Sequence, residues 1–204
     1  MGILRRRVGE HIPTREPLDI IEQQAKQLNR LVDDLLEVVR AGAGKVTLDK
    51  RAVQLGTVIQ SAVEAVRPLI ESRKHRLYVS HPQRAIWLKA DPQRLQQVFV
   101  NLLNNAAKYT EEGGSIRPST TVEDAEAVVR VRDTGVGMSA DVLEHIFELF
   151  AQADHDSHLR NGGLGIGLAL VKNLVEMHGG TIKAHSEGPG RGSEFMVHLR
   201  VCHD

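Results

Sequence analysis

The strongest periodicity in the chain lies near its start. Over residues 17–41 (PLDIIEQQAKQLNRLVDDLLEVVRA), Leu18, Ile21, Ala25, Leu28, Val32, Leu35 and Val39 alternate spacings of three and four. That pattern is a heptad seam on one face of a helix. Leu31 and Leu36 widen the apolar stripe beyond a two-stranded seam, toward a helical bundle. The only local cover, Ile3–Val8, is too short for it. The stripe therefore predicts dimerisation or a further upstream helix, with packing on the downstream domain as the simpler alternative.

After Ala41–Lys45 (AGAGK), a loop signal, the pattern changes. Residues 54–71 read as a helix, and residues 74–80 and 85–90 as strands. Asp91-Pro92 places a capping carboxylate before a proline at the first helical position, which starts a helix running to about Tyr109. Glu111–Gly114 turns the chain into strands at 116–122 and 127–133. A helix at 140–150, a polar loop at 151–163 and a helix at 164–178 follow. Strands at 181–186 and 193–201 close a hairpin around GPGRG. This order predicts an α/β (α+β) sandwich. A mixed, mostly antiparallel sheet is covered by helices on one face and preceded by a coiled-coil or four-helix-bundle helix.

Composition narrows the function. With 204 residues, the chain has room for one medium domain and an appendage, or for two small domains. Hydrophobic residues at 41% and aromatics at 3% suit an aliphatic core and not a base-stacking platform. Lys+Arg and Asp+Glu both number 26 and cancel, so no nucleic-acid partner is expected. The single cysteine, Cys202, excludes an internal disulfide framework and a cysteine-rich zinc site. No apolar run is long enough to span a membrane, and the N-terminal charges come too early for a signal peptide. The expectation is a cytoplasmic chain making no membrane contact.

Three segments carry candidate chemistry. On the helix from Pro92, Leu95, Val98, Phe99, Leu102, Leu103 and Ala106 share one face. Asn101, Asn105 and Lys108 form a separate polar stripe at i, i+4 and i+7. An amide oxygen can ligate Mg²⁺, and a lysine can neutralise phosphate, although a solvated helix face would look the same in isolation. Asp133 ends a strand beside Gly135 and Gly137. There a carboxylate can accept from an exocyclic amine while the glycines let the backbone approach a flat ligand. Gly163, Gly165 and Gly167 feed a helix N-terminus, where free N–H groups and the dipole favour phosphate. Their spacing, and the lack of a preceding strand, exclude the dinucleotide fingerprint; the lack of a Gly-Lys-Ser/Thr excludes a Walker loop. The loop before them contains Asp154, His155, Asp156, His158 and Arg160, and its length suits a lid. His155 and His158 have no third ligand near them, which argues against a metal pair.

Taken in order, these segments resemble one family. Asn-Leu-Leu-Asn-Asn-Ala-Ala-Lys-Tyr (101–109), Asp-Thr-Gly-Val-Gly (133–137), Phe-Glu-Leu-Phe (147–150), Gly-Leu-Gly-Ile-Gly-Leu (163–168) and Gly-Arg-Gly-Ser-Glu-Phe (190–195) resemble the sequential boxes of bacterial sensor histidine kinases, hybrid ones above all. The resemblance divides the chain into a partial dimerisation and phosphotransfer hairpin (1–41), a linker (42–53) and a catalytic ATP-binding domain (54–201).

It further implies ATP and Mg²⁺ as ligands. Asn105 ligates the metal, Asn101 faces the phosphates one turn earlier, Lys108 contacts phosphate and Tyr109 borders the ribose or base. Asp133 binds the adenine amine, with Gly135 and Gly137 giving room and Ser193 supporting the carboxylate through water. Gly163, Gly165 and Gly167, with Leu168 after them, hinge the lid and cradle phosphate. Phe147 and Phe150 anchor the lid's start, with core packing as the alternative, and Arg160 reaches the γ-phosphate. The partners implied are a second copy through the 17–41 helix and a response regulator or receiver domain.

The family's acceptor motif is missing. His11, the only histidine upstream of the catalytic domain, has Pro13 two residues on and the wrong spacing. The acceptor is therefore expected upstream of Met1. Two rivals stay open: an ATPase of the same superfamily, and a non-enzymatic dimerising scaffold. The ATPases place a water-activating glutamate one turn before the metal asparagine, where this chain has Asn101, a poor base.

Overall fold

The computed structural model describes residues 47–80, 82, 84–151 and 165–202, together with Glu22, Ala25, Val32, Leu35 and Leu36. Ile3–Val8, His11, His155, His158, Arg160, Gly163 and most of the 17–41 helix lie outside the described residues. The five described positions of that helix are helical. Leu35 packs against the core of the domain that follows, while Val32 and Leu36 are exposed.

The domain opens with strand β1 (Arg51–Gln54) and helix α1 (Leu55–Ser72). Strands β2 (Arg76–Leu77) and β3 (Trp87–Ala90) lead to helix α2 (Pro92–Tyr109). Strands β4 (Ser115–Glu123) and β5 (Glu126–Asp133), helix α3 (Ala140–His145), helix α4 (Gly167–Met177), and strands β6 (Thr181–His185) and β7 (Glu194–Arg200) complete it. The main sheet has five strands in the order β2-β4-β5-β7-β6. Only the β2–β4 pairing is parallel.

One face of this sheet is apolar because alternate residues along each strand point the same way. Ala127, Val129 and Val131 of β5, and Phe195, Val197 and Leu199 of β7, are buried under the helices. The intervening Arg130, Arg132, Met196 and His198 lie on the opposite face, where Arg130 bridges Thr121 and Glu123. Helix α2 is the centre of the helical layer, flanked by α1 and α4. All six apolar positions expected on it are buried, with Ala107 added. Truncating a fully enclosed side chain such as Phe99 leaves a cavity worth about 3–5 kcal/mol.

The expected two-layer architecture is present, with local differences. Residues 74–80, read as one strand, pair only at Arg76–Leu77 and again through an isolated bridge at Ser80. Arg51–Val53, read as linker, and Gln54, read as the helix start, form a strand that pairs antiparallel with β3 in a separate ribbon. The 140–150 helix ends at His145 because Phe147 turns into the core, edge-on to Phe195 at 6.4 Å.

Candidate nucleotide site

Helix α2 begins where the sequence places it. The Asp91 carboxylate accepts hydrogen bonds from the backbone N–H groups of Gln93 (3.0 Å) and Arg94 (3.2 Å), and Pro92 occupies the first turn. From this start, 3.6-residue periodicity brings Asn101, Asn105 and Lys108 out at the edge of the buried face, each half-buried. Among the described residues, neither asparagine side chain makes a hydrogen bond and Lys108 has no carboxylate partner. The Lys108 ammonium lies 4.9 Å from the centre of the Tyr109 ring. Burial lowers the pKa of Lys108, and the nearby Arg73 cation adds to the effect. The guanidinium of Arg73 donates to the Lys108 carbonyl at 3.2 Å. Two cations thus lie near the end of α2, with the Glu112 carboxylate acting on Arg73.

Asp133 ends β5 in a buried position. One carboxylate oxygen accepts from the N–H of Gly135 (2.8 Å) and of Ser193 (3.3 Å), and the other accepts from the Ser193 hydroxyl. Ser193 therefore supports the carboxylate by direct contact, which corrects the expectation of a water between them. Burial raises the pKa of Asp133, and the hydrogen bonds from Ser193 and Gly135 partly offset that rise. A carboxylate offers about four acceptor directions, and three are used. One remains on the oxygen that faces Ser193.

The loop after Asp133 is pressed against two neighbours. A Cβ on Gly135 would collide with the Tyr109 carbonyl oxygen, and the N–H of Val136 donates to that oxygen at 3.0 Å. Gly137 has φ +68°, and a Cβ there would strike the Gly188 carbonyl oxygen. The hairpin loop closes over this segment through Gly190 N–H to Val136 carbonyl and Gly192 N–H to Gly135 carbonyl. The Ser186 hydroxyl accepts from the N–H of Met138 and donates to the Gly192 carbonyl.

Helix α4 starts at Gly167 with no side-chain cap, and a Cβ at Gly167 would lie 3.4 Å from the Asn101 amide oxygen. Its uncapped first-turn N–H groups are thereby placed beside the α2 amides, an arrangement suited to an anion. Leu168 is half-buried against the core. The N–H of Phe150 (φ +65°) donates to the Gly165 carbonyl at 3.2 Å, so residues on either side of 152–164 are in contact. Phe147 is packed against the core as its alternative reading held, whereas Phe150 is 59% exposed.

The structure brings together Asn101 with Gly167, Lys108 with Tyr109, and Asp133 with Gly135 and Ser193. Sequence reasoning missed Arg73, Ser186 and the closing role of Gly192. The GPGRG motif was a signal for the last, but Arg73 has none, since its partner is 35 residues away.

A buried carboxylate at a strand end, a helix bearing two amides and a lysine, and an uncapped helix start, all under one helical layer, define a nucleotide-binding catalytic domain. The chain belongs to the family described as histidine kinase-, DNA gyrase B-, and HSP90-like ATPase, which matches residues 90–203, more than half of its length. Over most of its length it is similar to sensor histidine kinases. It is 33% identical over 189 residues to the sensor protein GacS of Pseudomonas syringae pv. syringae, covering 90% of this chain and 21% of that protein. The circadian input-output histidine kinase CikA of Synechococcus elongatus is 34% identical over 185 residues, covering 90% of this chain and 24% of that one. Among solved structures, full-length ShkA in complex with AMPPNP superposes with a TM-score of 0.80 at 26% identity, covering 97% of this chain and 41% of that one. The Acinetobacter baumannii histidine kinase AdeS shares the fold, with a TM-score of 0.77 at 20% identity, covering 99% of this chain and 91% of that one. The chain spans only 12–33% of the length of the curated relatives it matches.

Proposed function

We propose that the domain binds ATP with Mg²⁺ and transfers the γ-phosphoryl group to a histidine in two-component signalling. The observation that supports this most is the one open acceptor direction left on Asp133. It is buried and held by three donors, and its remaining lone pair suits an adenine amino group. In this reading Gly135 and Gly137 let the loop after Asp133 pack against the Tyr109 and Gly188 carbonyls, which holds that carboxylate in place, and Tyr109 borders the ribose or base. Asn101, Lys108, Gly163, Gly165, Gly167 and Arg160 serve the phosphates.

Among the described residues, no group of three or more His, Cys, Asp or Glu side chains could hold a metal ion. Asn105 would supply an amide oxygen to an ion there, and a hard ion such as Mg²⁺ suits an oxygen donor. When bound, it would neutralise the polyphosphate. Lys108 adds positive charge on the same helix face. In the transfer, a bond forms between the acceptor imidazole nitrogen and the γ-phosphorus, the bond to the β–γ bridging oxygen breaks, and ADP leaves. We place the acceptor histidine outside the catalytic domain, in the helical hairpin to which residues 17–41 belong and through which the chain dimerises. A response regulator or receiver domain takes the phosphoryl group onward. Hydrolysis is disfavoured because Asn101, one turn before Asn105, cannot activate water.

The test uses the full chain with Mg²⁺ and γ-labelled ATP, alone and with a separately supplied phosphoacceptor hairpin. We expect an ATP-dependent rise in Tm and acid-labile, base-stable label on a histidine. A Tm indifferent to ATP overturns the reading. A Tm rise with slow release of phosphate and no histidine label favours the ATPase alternative, and binding with neither product favours the scaffold.

A further inference from the structure

At the far end of the helical layer, three segments converge on one imidazole. His178 follows α4, and both of its ring nitrogens are engaged. Nδ1 lies 2.7 Å from the Leu174 carbonyl oxygen, and Nε2 lies 3.1 Å from the backbone nitrogen of Asp91. A carbonyl only accepts and an amide N–H only donates, so the ring is neutral with its proton on Nδ1. Asp91 is the cap of α2, and its second carboxylate oxygen accepts from the N–H of Asp49 at 3.1 Å. The Lys50 ammonium donates to the carbonyl of Met177, the last residue of α4, at 2.8 Å. The chain entering the domain, the start of α2 and the end of α4 are thus tied at one point.

These are the two helices whose other ends form the nucleotide site. Asn101, Asn105 and Lys108 lie in the later part of α2, and Gly167 begins α4 beside Asn101. A displacement of one helix along the other changes the spacing of those groups, because each helix moves as a stiff rod. An ordinary helix cap would engage one helix; this ring engages both.

We propose that His178 is a positioning residue for nucleotide binding: its neutral ring holds the start of α2 against the end of α4 and so sets the spacing between Asn101, Asn105 and the α4 N-terminus. The proposal rests on the nucleotide-site assignment above. The charged groups around the ring are Lys50 and the Asp91 carboxylate, with Asp49 bound to the latter by its backbone. Burial lowers the pKa of His178 and the Lys50 cation lowers it further, against the Leu174 carbonyl and Asp91, which act in the other direction. Protonation would put a hydrogen on Nε2 against the N–H of Asp91, replacing an acceptor by a donor. A histidine with a depressed folded-state pKa contributes stability that is complete above its ordinary value of about 6.5 and is lost as pH falls below it. The clasp therefore loosens on acidification.

The test measures ADP affinity of the full chain by calorimetry from pH 8 to 5.5, with folding checked by circular dichroism at each pH. The variants are His178→Ala, His178→Gln and Lys50→Met, with Asp133→Asn as a control on the site. Dividing by the His178→Gln affinity at each pH cancels the titration of ADP itself. We expect folded His178→Ala to bind ADP roughly tenfold more weakly at pH 7.5. His178→Gln, which offers a donor and an acceptor but does not titrate here, recovers most of the affinity and loses the wild-type decline below neutrality. Lys50→Met moves the midpoint of that decline to higher pH. Folded His178→Ala with wild-type affinity, or His178→Gln with the wild-type pH profile, overturns the proposal. If His178→Ala does not fold, Lys50→Met decides: an unmoved or lowered midpoint overturns it. Failure of the underlying reading has a different signature: no ADP binding by the wild type, or undiminished binding by Asp133→Asn.

Discussion

Asp133 shows how one residue serves a ligand at the expense of the free protein. Its carboxylate is buried, and the net effect of burial and its hydrogen bonds leaves its pKa raised. A carboxyl group whose folded-state pKa is raised costs stability in its ionised form. That cost is present above the folded-state pKa and is relieved as pH falls through it. Asp133→Asn should therefore melt at or above the wild-type temperature at pH 7, with the difference shrinking toward pH 4. The same change should weaken ATP binding roughly 10–150-fold, the range of one hydrogen bond to a charged group. Calorimetry and a melting series across pH check both parts; a variant that loses stability and affinity in parallel would contradict the account. At this scale the stripe of Asn101, Asn105 and Lys108 was legible, because helical periodicity is local. The direct Ser193–Asp133 contact was not, because it joins residues 60 apart.

Among the elements, α2 was the most legible and is the one on which the site depends. Its Asp-Pro start, its apolar face and its polar stripe all follow from neighbours within a few residues. Asp91→Ala should lower stability by about 1–2 kcal/mol for the lost cap, measured by urea unfolding, with a further loss from the released N–H of Asp49. A loss below a few tenths of a kcal/mol would mean that the cap is replaced by solvent. The less legible elements were those that depend on a distant partner. β1 was hidden in a polar stretch because its pairing with β3 lies on the other side of α1. The alternating residues of 74–80 suggested a full strand; regular pairing stops at Leu77, while Tyr78 and Ser80 still donate to β4 carbonyls. The early end of α3 follows from the room that Phe195 offers Phe147.

For the whole molecule, ligand binding is the term that links the two ends of the site. At a free MgATP concentration about one hundred times Kd, stabilisation should reach about 2.7 kcal/mol. Asn105→Ala should remove the Mg²⁺-dependent part of that gain while leaving the Mg²⁺-independent binding of ADP largely intact. An Mg²⁺-dependent shift that survives in Asn105→Ala would move the metal assignment to another oxygen donor. By contrast, breaking the Arg130–Glu123 pair on the exposed face of the sheet with Glu123→Gln should leave the urea midpoint essentially unchanged, since exposed ion pairs gain little against solvent. No helix among the described residues is long and apolar enough to cross a membrane.

By itself the sequence determined local structures: the cap and faces of α2, and the glycine turns beside the nucleotide site. Each depends on spacings within a turn or two of backbone, which residue identity encodes directly. Only the tertiary structure decided that Ser193 touches Asp133, that Arg73 reaches the end of α2, and that His178 clasps Asp91 across 87 residues. Those contacts depend on strand register and on how helices stack over the sheet. Both are settled by burying one shared apolar face, and no short stretch of sequence carries that information.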